Sequence, residues 1–288
     1  NQAKDGGSTP IHAACKYGHI NVVSLLIDRG ANVNDAMQIG YTPLHTSCRK
    51  GLIETVSLLL DNGANVNQGT KCGWMPLHAA CHSGNLDVVS LLLDRGANID
   101  QTNDYSLTAL YVACENGHMD IASLLINRGA NIHKVTKIGS TPLHVACHDG
   151  HVEIASLLLE YGMNINQQTT DGMTPLHAAC LHVHLGVISL LLNRGVNVNL
   201  PMKCGKTPLQ TAFSSDGTLC AGKKLDVIKL LLEHGAQNHV EFASTDADVD
   251  VEIPKTPERR PPTNIPGAPK RNKRHARSIG GPFKRALM

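Results

Sequence analysis

Two five-residue stretches, His78-Ala79-Ala80-Cys81-His82 and His144-Val145-Ala146-Cys147-His148, set imidazoles four residues apart. On a helix that spacing puts both rings on one face, an arrangement that invites zinc. Neither stretch has the Glu that a metalloprotease motif places directly after its first His, so the base for metal-assisted hydrolysis is missing. Six of the nine cysteines, Cys15, Cys48, Cys81, Cys114, Cys147 and Cys180, recur at 33-residue intervals. A thiol repeated so regularly reads as a small buried apolar group. Stacked units would hold equivalent thiols on the order of 10 Å apart, beyond the roughly 7 Å Cα limit of a disulfide. The odd count adds to the expectation of a reducing compartment. Cys72, Cys204 and Cys220 fall in loops. No Gly-rich phosphate loop, Ser-His-Asp arrangement or paired carboxylates stand out. The sequence therefore assigns no catalytic residue, metal or cofactor, and the chain reads as a non-enzyme without a small-molecule substrate.

The elements that must position these residues come from a repeat. Thr9-Pro10-Ile11-His12 opens a series whose first positions are Thr9, Thr42, Met75, Thr108, Thr141, Thr174 and Thr207, each 33 residues from the last. Six of the seven are Thr and six are followed by Pro, with Ala109 the exception. Thr before Pro is an N-cap with Pro at the first helical position. The first helix of the first unit ends near Gly18, and a second begins around Ile20. Acids or amides such as Glu54, Asp87 and Asp120 open the second helices, and Arg29, Arg95, Arg128 and Arg194 close them, complementing the helix dipole. Gly30, Gly63, Gly96, Gly129, Gly162, Gly195 and Gly235 then supply left-handed caps before turns around Gly40, Gly73, Gly139, Gly172 and Gly205. One such unit cannot bury its own apolar face, whereas stacked units can. With only 3% aromatic residues, aliphatic and small side chains must do that packing.

On these motifs, as in Gly139-Ser140-Thr141-Pro142-Leu143-His144-Val145-Ala146-Cys147, the units resemble ankyrin repeats. The resemblance implies an all-α fold, a solenoid of paired antiparallel helices with β-turn or hairpin loops, followed by a disordered C-terminal tail. Its expected boundaries are 4–37, 38–70, 71–103, 104–136, 137–169, 170–202 and 203–239, with the tail at 240–288. Met75 and Ala109 are expected to weaken two caps, Val183 replaces a Gly between helices, and the seventh unit carries an insertion around Asp216 to Lys224. The resemblance also implies that the signature histidines, His12, His45, His78, His144 and His177, hydrogen-bond loop backbone. It further implies binding of a protein partner along one continuous concave face.

The positions left free by the repeat are where a partner would be read. Just before the cap, the central units carry Tyr41, Trp74, Leu107 and Met173, and nearer the turn tip lie Ile39, Cys72, Tyr105 and Ile138. The only Trp, Trp74, is expected to face solvent and to act as an aromatic anchor. Arg49, His82, Glu115 and His148 would supply a polar rim from the first helices. At the first variable turn position the order is Asp5, Gln38, Lys71, Asp104, Lys137, Thr170, Lys203, and such mixed signs do not make a phosphate-tracking stripe. Nucleic acid is therefore a poor fit for the stack.

From Pro254 onward ten Lys or Arg stand against one acid, a net of +9, which leaves −7 for residues 1–253 within the total of +2. Lys270, Arg271, Lys273 and Arg274 read as a nuclear-import signal and Thr256-Pro257 as a phosphorylation site, giving an expected cytoplasmic or nuclear location. No apolar run approaches the roughly 20 residues of a membrane-spanning helix. No charged-then-apolar leader opens the chain, and Asn at residue 1 leaves its natural start open. In the first unit Val22, Val23, Leu25 and Leu26 follow the interior pattern, so a truncated array, part of a larger regulatory or targeting protein, would expose an apolar end.

Overall fold

The computed structural model describes residues 6–214 and 221–237, all within the first of two units, 1–240, into which the chain divides. The second unit, 241–288, lies outside the described residues, and with it Thr256 and the basic run Lys270 to Arg274. Cys220 and most of the expected insertion lie outside them too.

Among the described residues all regular structure is helical and comes in pairs. The pairs are α1 (Pro10–Tyr17) with α2 (Ile20–Asp28), α3 (Pro43–Lys50) with α4 (Ile53–Asp61), α5 (Pro76–His82) with α6 (Leu86–Asp94) and α7 (Ala109–Glu115) with α8 (Met119–Asn127). They continue with α9 (Pro142–Asp149) and α10 (Val152–Glu160), α11 (Pro175–Leu181) and α12 (Leu185–Asn193), and α13 (Pro208–Ser214) and α14 (Ala221–Glu233). First helices pack on first helices and second on second, so each unit lies against its neighbours. The last pair departs from the others because α14 begins at Ala221, taking part of the insertion into the helix.

The caps explain where the first helices start. The Oγ1 atoms of Thr42, Thr141 and Thr174 accept from the backbone N–H of His45, His144 and His177. Met75 has no such oxygen, as expected. The fourth unit, in contrast, keeps its cap: Thr108 Oγ1 accepts from Tyr111 N–H at 3.2 Å, because Ala109 replaces the residue after the cap and not the cap itself.

A ladder of one leucine per unit, Leu44, Leu77, Leu110, Leu143, Leu176 and Leu209, runs buried through the stack, with Ile11 in its place at the first unit. Each such side chain contributes roughly 1.5–3 kcal/mol when fully buried. The six in-phase cysteines are buried among them, and desolvation pushes Cys15 up to about 11 and the other five higher still. They are free thiols held as core residues, whereas Cys72 and Cys204 are exposed.

Two further ladders were only partly legible in the sequence. The Asn residues after the terminal Gly tie consecutive units together: Asn67 Nδ2 donates to Gly96 O at 3.0 Å and its Oδ1 accepts from Asn98 N–H at 2.8 Å. The arginines expected to complement helix dipoles instead reach back one unit, Arg95 to Asp61 at 2.7 Å and Arg128 to Asp94 at 2.8 Å. These pairs are exposed, so each adds roughly 0–1 kcal/mol.

Candidate protein-binding surface

Each signature histidine fixes the turn that carries the next unit's variable residues. His45 Nδ1 accepts from Thr42 N–H at 3.2 Å, so its proton sits on Nε2, which donates to Trp74 O at 2.9 Å. The same bridge runs from His12 to Tyr41 O, His78 to Leu107 O, His144 to Met173 O and His177 to Lys206 O. This is the loop-backbone role the resemblance implied, with the added feature that every bond crosses to the following unit. Burial depresses these rings, taking His45, His78 and His144 down to about 4. Four of the five carbonyls they grip, those of Tyr41, Trp74, Leu107 and Met173, belong to residues that were expected to bind.

That grip decides which of those residues face solvent. Trp74 is 7% exposed and Leu107 likewise, so neither is the solvent-facing anchor the sequence suggested. Both immediately precede a helix cap, and with their carbonyls bonded to the preceding unit their side chains lie in the inter-unit layer. The Trp74 ring packs on His78 at 5.2 Å between centroids and meets His82 edge-on at 6.4 Å. Tyr41 and Met173 are half-buried in the equivalent layer.

The turn tips behave differently. Tyr105 and Ile138 are each 48% exposed, and Ile39, which shares their place in the repeat, is 61% exposed. Backbone hydrogen bonds join successive tips: Lys71 N–H donates to Ile39 O, Asp104 N–H to Cys72 O and Thr170 N–H to Ile138 O, at 3.2, 3.0 and 2.9 Å. These bonds tie tips of neighbouring units together, while apolar side chains and the exposed Cys72 project from four consecutive units. The sequence placed Ile39 and Cys72 in the same row as Tyr105 and Ile138 but singled out only the latter two as binding residues. Their shared 33-residue phase was the signal that finds them.

On the first helices, Arg49 is exposed, and His82, Glu115 and His148 are partly so. Desolvation lowers His82, with His118 and Arg49 adding repulsion. His148 is engaged from two sides, by Asp149 and by His182. Tips and first helices together offer an apolar row flanked by Lys71, Asp104, Lys137 and the inner-helix polar groups. Among the described residues no helix is long and apolar enough to cross a membrane.

A family model described as ankyrin repeats (3 copies) matches residues 1–70, 62–136, 128–202 and 164–242. The ankyrin repeat domain of human ASB11, known from its crystal structure, superposes with a TM-score of 0.70 at 31% sequence identity, covering 79% of this chain and 98% of that one. An ankyrin repeat-containing protein of Schizosaccharomyces pombe is 47% identical over 34 residues, 12% of this chain, and the match spans only 16% of that relative's length. Repeats of this type generally serve as protein-protein interaction modules and typically carry no catalysis of their own. With the family model matching nearly the whole of the helical stack and the paired helices repeating in phase with it, the chain belongs to the ankyrin-repeat family.

Proposed function

We propose that the stack is an adaptor that docks one protein partner along its row of turn tips. Ile39, Tyr105 and Ile138 supply the apolar contacts, and Arg49, His82, Glu115 and His148 form a polar rim. The observation that carries this reading is the half exposure of Tyr105 and Ile138 on successive tips of a fold that buries most of its other large apolar groups. Aromatic and aliphatic anchors of this kind dominate interface energies. Trp74 and Leu107 act in this scheme from beneath, setting the height of the tips. The basic run at Lys270, Arg271, Lys273 and Arg274, with Thr256, serves location and regulation between cytoplasm and nucleus.

The test is capture from cell extract by the full chain, by Tyr105→Ser/Ile138→Ser and by residues 1–240, each at two salt concentrations. Loss of the same proteins from the double variant at both salts, with retention by 1–240, is the expected outcome. Capture that survives the double variant and vanishes with the tail would move recognition to the basic segment.

A second reading, that the stack works inside a larger ankyrin-repeat protein, is favoured by one observation. Val22 is 46% and Leu25 51% exposed, as are Pro10 and Ala13, although their counterparts in the later units are buried or packed against the core. Val88, Ile121, Ile154, Val187 and Val227, the later equivalents of Val22, are at most 1% exposed. Velocity sedimentation tests this: concentration-dependent association abolished by Val22→Lys/Leu25→Lys supports it, and a monomer at all concentrations counts against it.

A further inference from the structure

The two His-x-x-x-His stretches do not pair along their own helices. His78 and His144 turn into the inter-unit layer and are consumed there by loop carbonyls. What His148 meets is His182, 34 residues further on and just beyond α11, with the two Nε2 atoms 2.9 Å apart. Their rings stand edge-on, with centroids 4.2 Å apart and an interplanar angle of 71°. We propose that His148 and His182 form a two-imidazole clamp for a divalent transition-metal ion of the Ni2+ or Cu2+ kind, bridging α9 and α11, with Asp149 orienting His148.

Three features carry the clamp. First, Asp149 Oδ1 lies 2.9 Å from His148 Nδ1. A carboxylate only accepts, so the proton of His148 sits on Nδ1 and the Nε2 lone pair is presented, the orientation that carboxylates impose on metal-bound imidazole. Second, the spacing suits a tetragonal ion. Two nitrogens roughly 2.0–2.1 Å from one metal and about 90° apart lie about 2.9 Å from each other, whereas a tetrahedral pair would lie about 3.4 Å apart. Third, the pair is both fixed and reachable. His184 Nε2 donates to His148 O at 2.9 Å, and its ring lies over Gly150, where a Cβ would come within 2.6 Å of Nδ1. The His148 side chain is 44% exposed, so the pair lies at the surface where a hydrated ion can approach it.

Without metal, His182 donates its Nε2–H to His148 Nε2. On binding, that proton leaves Nε2 while Nδ1 of the same ring takes one up from water, so His182 stays neutral and both Nε2 lone pairs face the ion. Among the described residues no group of three or more His, Cys, Asp or Glu gathers as a ligand set, so the protein supplies two donors and water the remainder. The rest of the repeat offers no second copy of the pair: of the residues aligned with His148 only His82 is a histidine, and the position that His182 fills is Asn116 there.

Isothermal titration of Ni2+ into the untagged full chain, in a non-coordinating buffer at pH 7.5, tests this. One site per chain is expected, weakened at least tenfold by His148→Gln and by His182→Gln and about tenfold by Asp149→Asn. His82→Gln is expected to leave it unchanged, and Ni2+ is expected to raise the melting temperature of the wild type but not of His182→Gln. Far-UV circular dichroism shows that each variant keeps its helices. Equal affinity in all the variants, an adventitious ion only, or absence of binding would overturn the clamp and leave a plain hydrogen bond between two rings.

Discussion

His144 illustrates what a single residue does in this stack. Its Nδ1 faces the N–H and hydroxyl of Thr141, and its Nε2–H reaches Met173 O across the unit boundary, so both nitrogens are committed to the neutral ring. Adding a proton would set a donor against the Thr141 N–H donor, and burial removes the water that would solvate the charge. The folded pKa of about 4 lies below the ordinary 6.5, so the unfolded chain binds more protons between those values and stability falls as pH drops through that window. His45 and His78 add in the same direction. Urea midpoints are therefore expected to be lower at pH 5 than at pH 7.5, with the gap narrowed in His144→Gln. The seventh unit already uses glutamine there, with Gln210 Oε1 accepting from Thr207 N–H at 3.0 Å. A midpoint that does not change with pH would contradict this account. The role of these histidines was readable because it recurs with the period. The burial of Trp74 was not, because a residue between a turn tip and a helix cap faces solvent or the next unit according to which carbonyl the preceding histidine holds.

The elements were legible to within a residue or two, since most first helices start at Thr-Pro and most helix ends carry a Gly in phase. Where a Gly is absent, the backbone still follows the repeat. Ser106 at φ 62° and Val183 at φ 57° occupy the left-handed region that Gly fills in the other units. Such a conformation costs a side chain roughly 1–2 kcal/mol. For Ser106, only partly buried at a turn, Ser106→Gly is expected to stabilise by about 0.5–1 kcal/mol after the added flexibility of the unfolded chain is counted. For Val183, 5% exposed in the core, loss of the buried side chain offsets the relief, and Val183→Gly is expected to be neutral or destabilising. Thermal melts of the two variants check the contrast, and a rise for Val183→Gly with none for Ser106→Gly would reverse it. The Asn ladder and the arginine pairs escaped the sequence reading for one reason. Their partners lie 29 to 34 residues away, whereas helix and cap rules look only within a turn.

Over the whole molecule, neighbouring units bury the apolar faces that one unit cannot, so the residues that remain exposed carry the information. Leucines and cysteines are spent on the stack, and histidines and asparagines on its joints. The apolar side chains at the tips of the second to fifth units are left without an internal role. The proposed docking surface was half legible: its phase was in the sequence, but which of two neighbouring positions faces outward depended on the inter-unit bonds. The most direct test of the central claim puts a photoreactive phenylalanine analogue at Tyr105 and, in a second protein, at Tyr161. The two side chains are equally exposed at 48%, Tyr105 on a tip and Tyr161 at the end of a second helix. Irradiation in cell extract is expected to give discrete protein adducts from position 105 and none from position 161. Equal labelling at both, or adducts from position 161 alone, would contradict recognition along the tips.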